Sequence, residues 1–182
     1  MSSVQQKIIF DKNLCNYFID YFESDFCTNR EDGGRYKTTG ETATVSLTHI
    51  PNNIVDLLKP FNVQYINFTE EQNSTYCLKI NKYYKGTSFP EHKDDAEVNY
   101  GSKDISRTKR CKTFIWQLSD ERSYKGGDFL IEGVPVDRTQ GNCICFDSNM
   151  THSVTTLEQG VRYSMVLWLE KHNFSSNTSS LL

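Results

Sequence analysis

Residues 141–170 read GNCICFDSNMTHSVTTLEQGVRYSMVLWLE, and the texture of this stretch sets the fold class. Two runs rich in β-branched and aromatic residues, GNCICFDS and VRYSMVLWLE, are short and divided by Ser, Asn and Gly, the composition of strands joined by turns. The same texture recurs upstream in TYCLKINKYY (75–84), CKTFIWQLS (111–119) and GGDFLIEG (126–133). Towards the N-terminus it changes. Residues 11–24, DKNLCNYFIDYFES, place Leu14, Phe18 and Tyr21/Phe22 at helical spacing behind Asp11, a residue suited to an N-cap. The segment EDGGRYKTTGET (31–42) reads as a turn-rich connection, and NNIVDLLKPFNVQYINF (52–68) as helical material that Pro60 kinks or splits. Helices first and many strands afterwards predict a mainly β fold, with N-terminal helices packed against an antiparallel sandwich or barrel; a jelly roll fits the number of strands. The expectation is one domain over residues 1–174, with helical support in 1–72 and the jelly-roll core in 73–171. The polar end, 175–182, is expected to be a flexible tail.

At 182 residues the chain can bury a core without staples of metal or disulfide. Its net charge of −3 argues against a protein built to coat nucleic acid or an anionic membrane. The six cysteines form no C-x-x-C pair and the start, MSSVQQKIIF, lacks the apolar run of a signal peptide, so a reducing cytoplasm is expected. In that compartment the sequons at Asn67, Asn73, Asn173 and Asn177 are chance matches. No apolar segment approaches the length needed to cross a bilayer, and no membrane partner is expected.

FPEHKDDAEV (89–98) holds an H-x-D in which, on an extended chain, His92 and Asp94 share a face while Lys93 and Asp95 point the other way. By itself this fits either a metal site or a charged surface turn. His152, after a turn and before the last strand, is the natural third ligand: two imidazoles and a carboxylate with open positions suit non-haem Fe(II). Ten residues further, Arg162 shares a strand face with Ser164, Val166 and Trp168 by period two. If that face points inward, an arginine sits inside the barrel, and its planar fork needs an anion such as a bidentate carboxylate.

Taken together, YYKGTSFPEHKDD (83–95), TFIWQLSDERSYKGGDFLIEG (113–133), GNCICFDSNMTHSV (141–154) and GVRYSMVLW (160–168) resemble the Fe(II)/2-oxoglutarate-dependent oxygenases of the prolyl 4-hydroxylase type. The resemblance implies a double-stranded β-helix, the cupin-like jelly roll. It implies His92, Asp94 and His152 as iron ligands, and Arg162, with Ser164 beside it, as the anchor of the distal carboxylate of 2-oxoglutarate. Tyr83 supports the same carboxylate, with Tyr84 the alternative one place along. Fe(II), 2-oxoglutarate and O2 are the implied cofactors, ascorbate a supporting reductant, and hydroxylation of a peptidyl proline with release of succinate and CO2 the implied reaction. Retention of Asp94 favours hydroxylation over halogenation, since related halogenases carry a small residue there. Arg162 stands where collagen-type enzymes usually have lysine, which turns the substrate expectation away from collagen and leaves the cofactors unchanged. The implied partner is a proline-containing peptide or protein. The competing expectations are a free amino acid or other small molecule as substrate, and a jelly-roll module that binds metal without turnover; nucleic acid is disfavoured.

His49 and His172 have no partner spacing and are expected to be ordinary. Cys143 and Cys145 share a strand face but are expected to act as small buried hydrophobes. Trp168 fits the substrate mouth or the core equally, and the register of Trp116 is open. Lys125, Gly126, Gly127 and Asp128 are expected to be structural. Residues 95–112 form a long polar connection, either a disordered surface segment or a lid over substrate, and the resemblance favours the lid; its basic residues Lys103, Arg107, Lys109, Arg110 and Lys112 are expected on a solvated face, with contact to an acidic partner as the second reading.

Overall fold

A computed structural model of the chain describes residues 9–24, 27, 30–32, 40–46, 77–95, 97–98 and 108–172. The helical segment expected at 52–68, residues 99–107 of the connection, His49, the four sequons and the tail lie outside these residues.

Asp11 caps the helix as its sequence position requires: its side chain accepts a hydrogen bond of 2.8 Å from the Leu14 N–H at the start of α1 (Lys12–Glu23). Ser24 closes the other end, donating from N–H and hydroxyl to the Tyr21 carbonyl. The buried stripe of α1 is Cys15, Phe18 and Phe22, one face at helical spacing.

The strands follow in chain order as β1 (Arg30–Asp32), β2 (Glu41–Ser46), β3 (Cys77–Tyr84), β4 (Phe89–His92), β5 (Glu97–Val98), β6 (Thr108–Gln117) and β7 (Lys125–Gly126). After them come β8 (Phe129–Ile131), β9 (Val134–Pro135), β10 (Cys143–Asp147), β11 (His152–Val154), β12 (Leu157–Gln159) and β13 (Val161–His172). The large sheet runs β1-β2-β3-β13-β6-β10, with β5 also on β6; a smaller sheet runs β4-β11-β8-β9, and β7 pairs with β12. Every pairing is antiparallel. Antiparallel strands in two main sheets and one short pair, with a helix outside, are the jelly roll expected from the sequence.

Alternation along the strands divides the core in two. Met165 and Leu167 of β13, Phe114 and Trp116 of β6 and Ile80 of β3 join Phe18 and Phe22 of α1 on the outer face of the large sheet. Trp116 therefore belongs to the helix side, its ring stacked on Phe10 at 5.0 Å. Val166 of β13, Ile115 of β6 and Tyr83 of β3 face inward with Phe129, Phe146 and Val154. This inner layer holds the site.

Two expectations need correction. The stretch 1–72, expected as helical support, also supplies β1 and β2, which extend the large sheet beside β3. The sequence of β2, ETATVS, is half β-branched, and Ala43 is buried at 1% exposure. The connection 95–112 is shorter than its polarity suggests, because residues from Thr108 onward are strand and Glu97–Val98 pairs with Thr108–Lys109.

Candidate metal centre and its cavity

His92 and His152 are direct cross-strand partners on β4 and β11. Each ring sets Nδ1 against the carbonyl two residues earlier, His92 on Pro90 at 2.9 Å and His152 on Met150 at 3.1 Å. A carbonyl only accepts, so Nδ1 carries the hydrogen, and the Nε2 of each ring is the atom turned towards Asp94. Asp94 completes the group. Its Oδ1 lies 3.5 Å from His92 Nε2 and its Oδ2 lies 3.3 Å from His152 Nε2. Donors in adjacent positions on one metal, with bonds of about 2.1 Å, sit about 3 Å apart; the three donor atoms here lie within 4.8 Å of one another, so the residues can draw together around a shared ion.

The carboxylate is held from several sides. The Asp94 N–H donates to the Ser148 carbonyl at 2.8 Å. Oδ2 accepts from the Thr113 hydroxyl at 2.9 Å and from the Trp168 indole N–H at 2.8 Å, and Ser148 Oγ lies 3.0 Å from Thr113 Oγ1. Burial alone would raise the Asp94 pKa, but hydrogen bonding with His152 and His92, the His152 charge and the Trp168 N–H outweigh it and hold the carboxyl well below the usual carboxylate range. An ionised carboxylate with two Nε2 atoms aimed at it asks for positive charge at the centre. A divalent cation supplies it.

The triad opens into a cavity of about 290 Å³. Its floor is Tyr83, Arg162 and Ser164, each no more than 2% exposed; Phe89, Ile115, Phe129, Val154 and Val166 line its walls. Arg162 faces Tyr83 across the β13–β3 pairing, with its guanidinium carbon 5.0 Å from the Tyr83 ring centre. One end of its fork, Nη2, donates to Gln117 Oε1 at 2.9 Å; the other, Nη1, is buried with no hydrogen-bond partner. Such an orphan on a buried cation is costly unless a ligand completes it. Burial pushes the Tyr83 phenol up while Arg162 and Ser164 pull it down, so at neutral pH it remains a hydrogen-bond donor facing the same space. Gly127 preserves this floor: a Cβ there would come within 2.7 Å of Leu157 Cδ1 and 3.3 Å of Arg162 Cδ. The donor set therefore fits Fe(II), and the orphaned guanidinium fits the free carboxylate of a dicarboxylic keto acid.

All six residues singled out from the sequence line this cavity. Tyr84, the alternative to Tyr83, is 44% exposed. Among the described residues His92, Asp94 and His152 form the group of metal-ligating side chains. The thiols of Cys143 and Cys145 pack towards the helix-side core, and burial pushes both pKa values up. Lys125 and Gly126 form β7 and Asp128 is paired with Arg138 at 2.9 Å, a structural role as expected. Sequence reasoning missed Thr113, Ser148 and Gln117; polar positions of one parity in TFIWQL were the available signal for two of them. It also placed Arg110 on a solvated face. Instead, Arg110 lines the cavity and lies over the Trp168 ring at 4.0 Å, because β6 carries an extra residue at Cys111 that inverts the alternation. Lys112 does remain on the surface, paired with Asp147 at 2.6 Å.

Residues 78–170 match the sequence profile of the 2OG-Fe(II) oxygenase superfamily. A PKHD-type hydroxylase of Synechococcus sp. (strain CC9311) is 28% identical over 102 residues, covering 54% of this chain and 43% of that protein, so the match spans less than half of the relative's length. Among solved structures, a Pseudomonas putida prolyl-4-hydroxylase superposes with a TM-score of 0.65 at 14% identity, over 92% of this chain and 91% of that one. A Trichoplax adhaerens prolyl hydroxylase, in complex with a hypoxia inducible factor peptide fragment, gives 0.55 at 16% identity over 91% and 84%. At such identities the likeness bears on the fold. Among the described residues no helix is long and apolar enough to cross a membrane. The profile match over half the chain, on the fold and around the His-Asp-His group just described, makes the chain a member of the 2OG-Fe(II) oxygenase superfamily, whose cofactors are Fe(II) and 2-oxoglutarate.

Proposed function

We propose that the protein is an Fe(II)- and 2-oxoglutarate-dependent dioxygenase that hydroxylates a proline in a peptide or protein, releasing succinate and CO2. The observation that carries this reading is the buried, half-satisfied guanidinium of Arg162 at the floor of the cavity that holds the His-Asp-His group. In it, His92, Asp94 and His152 hold Fe(II), and Arg162, Ser164 and Tyr83 hold the distal carboxylate of 2-oxoglutarate. With O2, the bound Fe(II) and 2-oxoglutarate supply the oxidising power needed for an unactivated C–H bond. The chain's own residues do the positioning. The Pro90 and Met150 carbonyls keep each ligand ring turned, Thr113 and Trp168 fix the carboxylate, and the walls formed by Phe89, Phe129 and Val154 exclude water.

Proline as target is supported by the likeness to the Pseudomonas prolyl-4-hydroxylase and to the Trichoplax prolyl hydroxylase, the second in complex with a peptide fragment. We further propose a single domain over residues 1–174 and a cytoplasmic location, in keeping with the free thiols of Cys15, Cys27, Cys111, Cys143 and Cys145. The test is anaerobic loading with Fe(II) and 2-oxoglutarate, then oxygen and a peptide library screened by mass for gain of one oxygen. Succinate formed together with an oxidised proline peptide is expected. Binding of both cofactors without succinate under any substrate would instead mark a binding module.

A further inference from the structure

The two ends of the cavity differ in exposure. Arg162, Ser164 and Tyr83 are buried at the floor, whereas Lys79, Asn81, Arg110 and Trp168 are half-buried and Lys93 is exposed, which places them at the mouth. Lys79 from β3 and Arg110 from β6, the strands on either side of β13, both reach the Trp168 ring, at 5.8 and 4.0 Å from its centre. Lys93, which strand alternation was expected to turn away from its neighbours His92 and Asp94, lines the cavity all the same. Among the described lining residues there are thus four basic side chains, Lys79, Lys93, Arg110 and Arg162, and one carboxylate, Asp94, in a chain whose acids outnumber its bases by 23 to 20. Composition does not account for that sign.

With the cofactors assigned above, the inner charges balance: a divalent iron and Arg162 offset Asp94 and the dianionic co-substrate. Setting Arg110 aside as well, two lysines remain at the opening. Glu132 lies near Lys93 and offsets part of its charge without forming an ion pair with it; its Oε1 accepts the Thr151 N–H at 2.6 Å and the Thr151 hydroxyl at 2.9 Å. Clustered like charges at the mouth of a cleft repel one another and favour an incoming anion.

We propose that the substrate enters as an anion: the segment presented to the iron carries an aspartate or glutamate beside the residue to be oxidised, and Lys79 and Lys93 receive it, with Arg110 adjoining. This rests on the reading of the site as a peptide hydroxylase and specifies which peptides it takes. Arg162 is reserved for the co-substrate by its burial, so the two anions are sorted by depth.

The test measures binding by fluorescence anisotropy to full-length protein holding Mn(II) and 2-oxoglutarate without oxygen. Labelled peptides share a central proline and differ only in flanks of aspartate, serine or lysine. The acidic peptide is expected to bind at least about tenfold more tightly than the neutral one at low ionic strength, with the margin shrinking in high salt. The Lys79→Glu/Lys93→Glu protein is expected to lose or reverse the preference, while Lys85→Glu, a single charge reversal on an exposed turn, retains it. Should the double variant fail to fold, the salt dependence of the unaltered protein decides. Equal binding of acidic and neutral peptides, or a margin indifferent to salt, overturns the charge inference and leaves the hydroxylase reading standing. If every peptide fails and succinate forms only with free amino acids, both fall.

Discussion

Replacing Trp168 by phenylalanine deletes one hydrogen bond to the Asp94 carboxylate of the proposed metal site while keeping most of the side chain's area. The bond in question runs from the indole N–H to Asp94 Oδ2 at 2.8 Å, and the acceptor is ionised and 7% exposed. Hydrogen bonds to charged groups are worth about 1.5–3 kcal/mol, and a water admitted at this half-buried position would recover part of that. Thr113 still holds the same oxygen at 2.9 Å. The net loss of orientation is therefore about 1.4–2.7 kcal/mol, which corresponds to a fall of about 10- to 100-fold in iron affinity, the range found when outer partners of metal ligands are removed. The assay is anaerobic calorimetric titration with Fe(II), repeated with Mn(II), alongside thermal melting of the metal-free protein. Thr113→Val should weaken binding in the same direction, and the two losses should not simply add, since both act on one oxygen. An iron Kd within about twofold of the original in Trp168→Phe, with the fold intact, would refute the assignment of the indole as a support of the metal ligand.

Arg162→Gln should lower 2-oxoglutarate affinity by about 100-fold or more while Fe(II) still binds, because a buried charge-assisted fork is lost without touching the triad; equilibrium binding of each cofactor separates the two. Asp94→Ala should abolish succinate formation, whereas Asp95→Ala should retain most of it, as read by cofactor turnover in folded protein; the reverse pattern would put the H-x-D out of register. Phe18→Ala, in the helix-side core at 1% exposure, should cost about 3–5 kcal/mol in chemical denaturation yet leave the iron Kd within about threefold. Mn(II) at about 100 times its Kd should stabilise the protein by about 2.7 kcal/mol, and a chelator should remove that gain; a melt insensitive to both would show that the three ligands hold no ion.

The chemistry of this protein was legible because it is written in local spacing. H-x-D on an extended segment brings His92 and Asp94 to one side, and period two carries Arg162, Ser164 and Trp168 along one face of β13. Asp11 and the apolar stripe behind it are likewise local, and α1 forms where they indicate. The sequence also named His152, though only a non-local pairing sets it opposite His92. What tertiary structure alone decided are the partners. Which side of β6 faces the His-Asp-His group depends on its pairing with β13, and that pairing sends Thr113 and Gln117 inward and Trp116 to the helix. The added residue at Cys111 inverts the alternation just before Arg110, so a residue that composition assigns to solvent reaches the mouth of the cavity. The sequence put Tyr83 ahead of Tyr84, and the cross-strand register that buries Tyr83 opposite Arg162 is the tertiary reason. Residue types and short spacings specify which groups can do chemistry; the contacts that orient them run between strands far apart in sequence, where one inserted residue exchanges the two faces of a sheet.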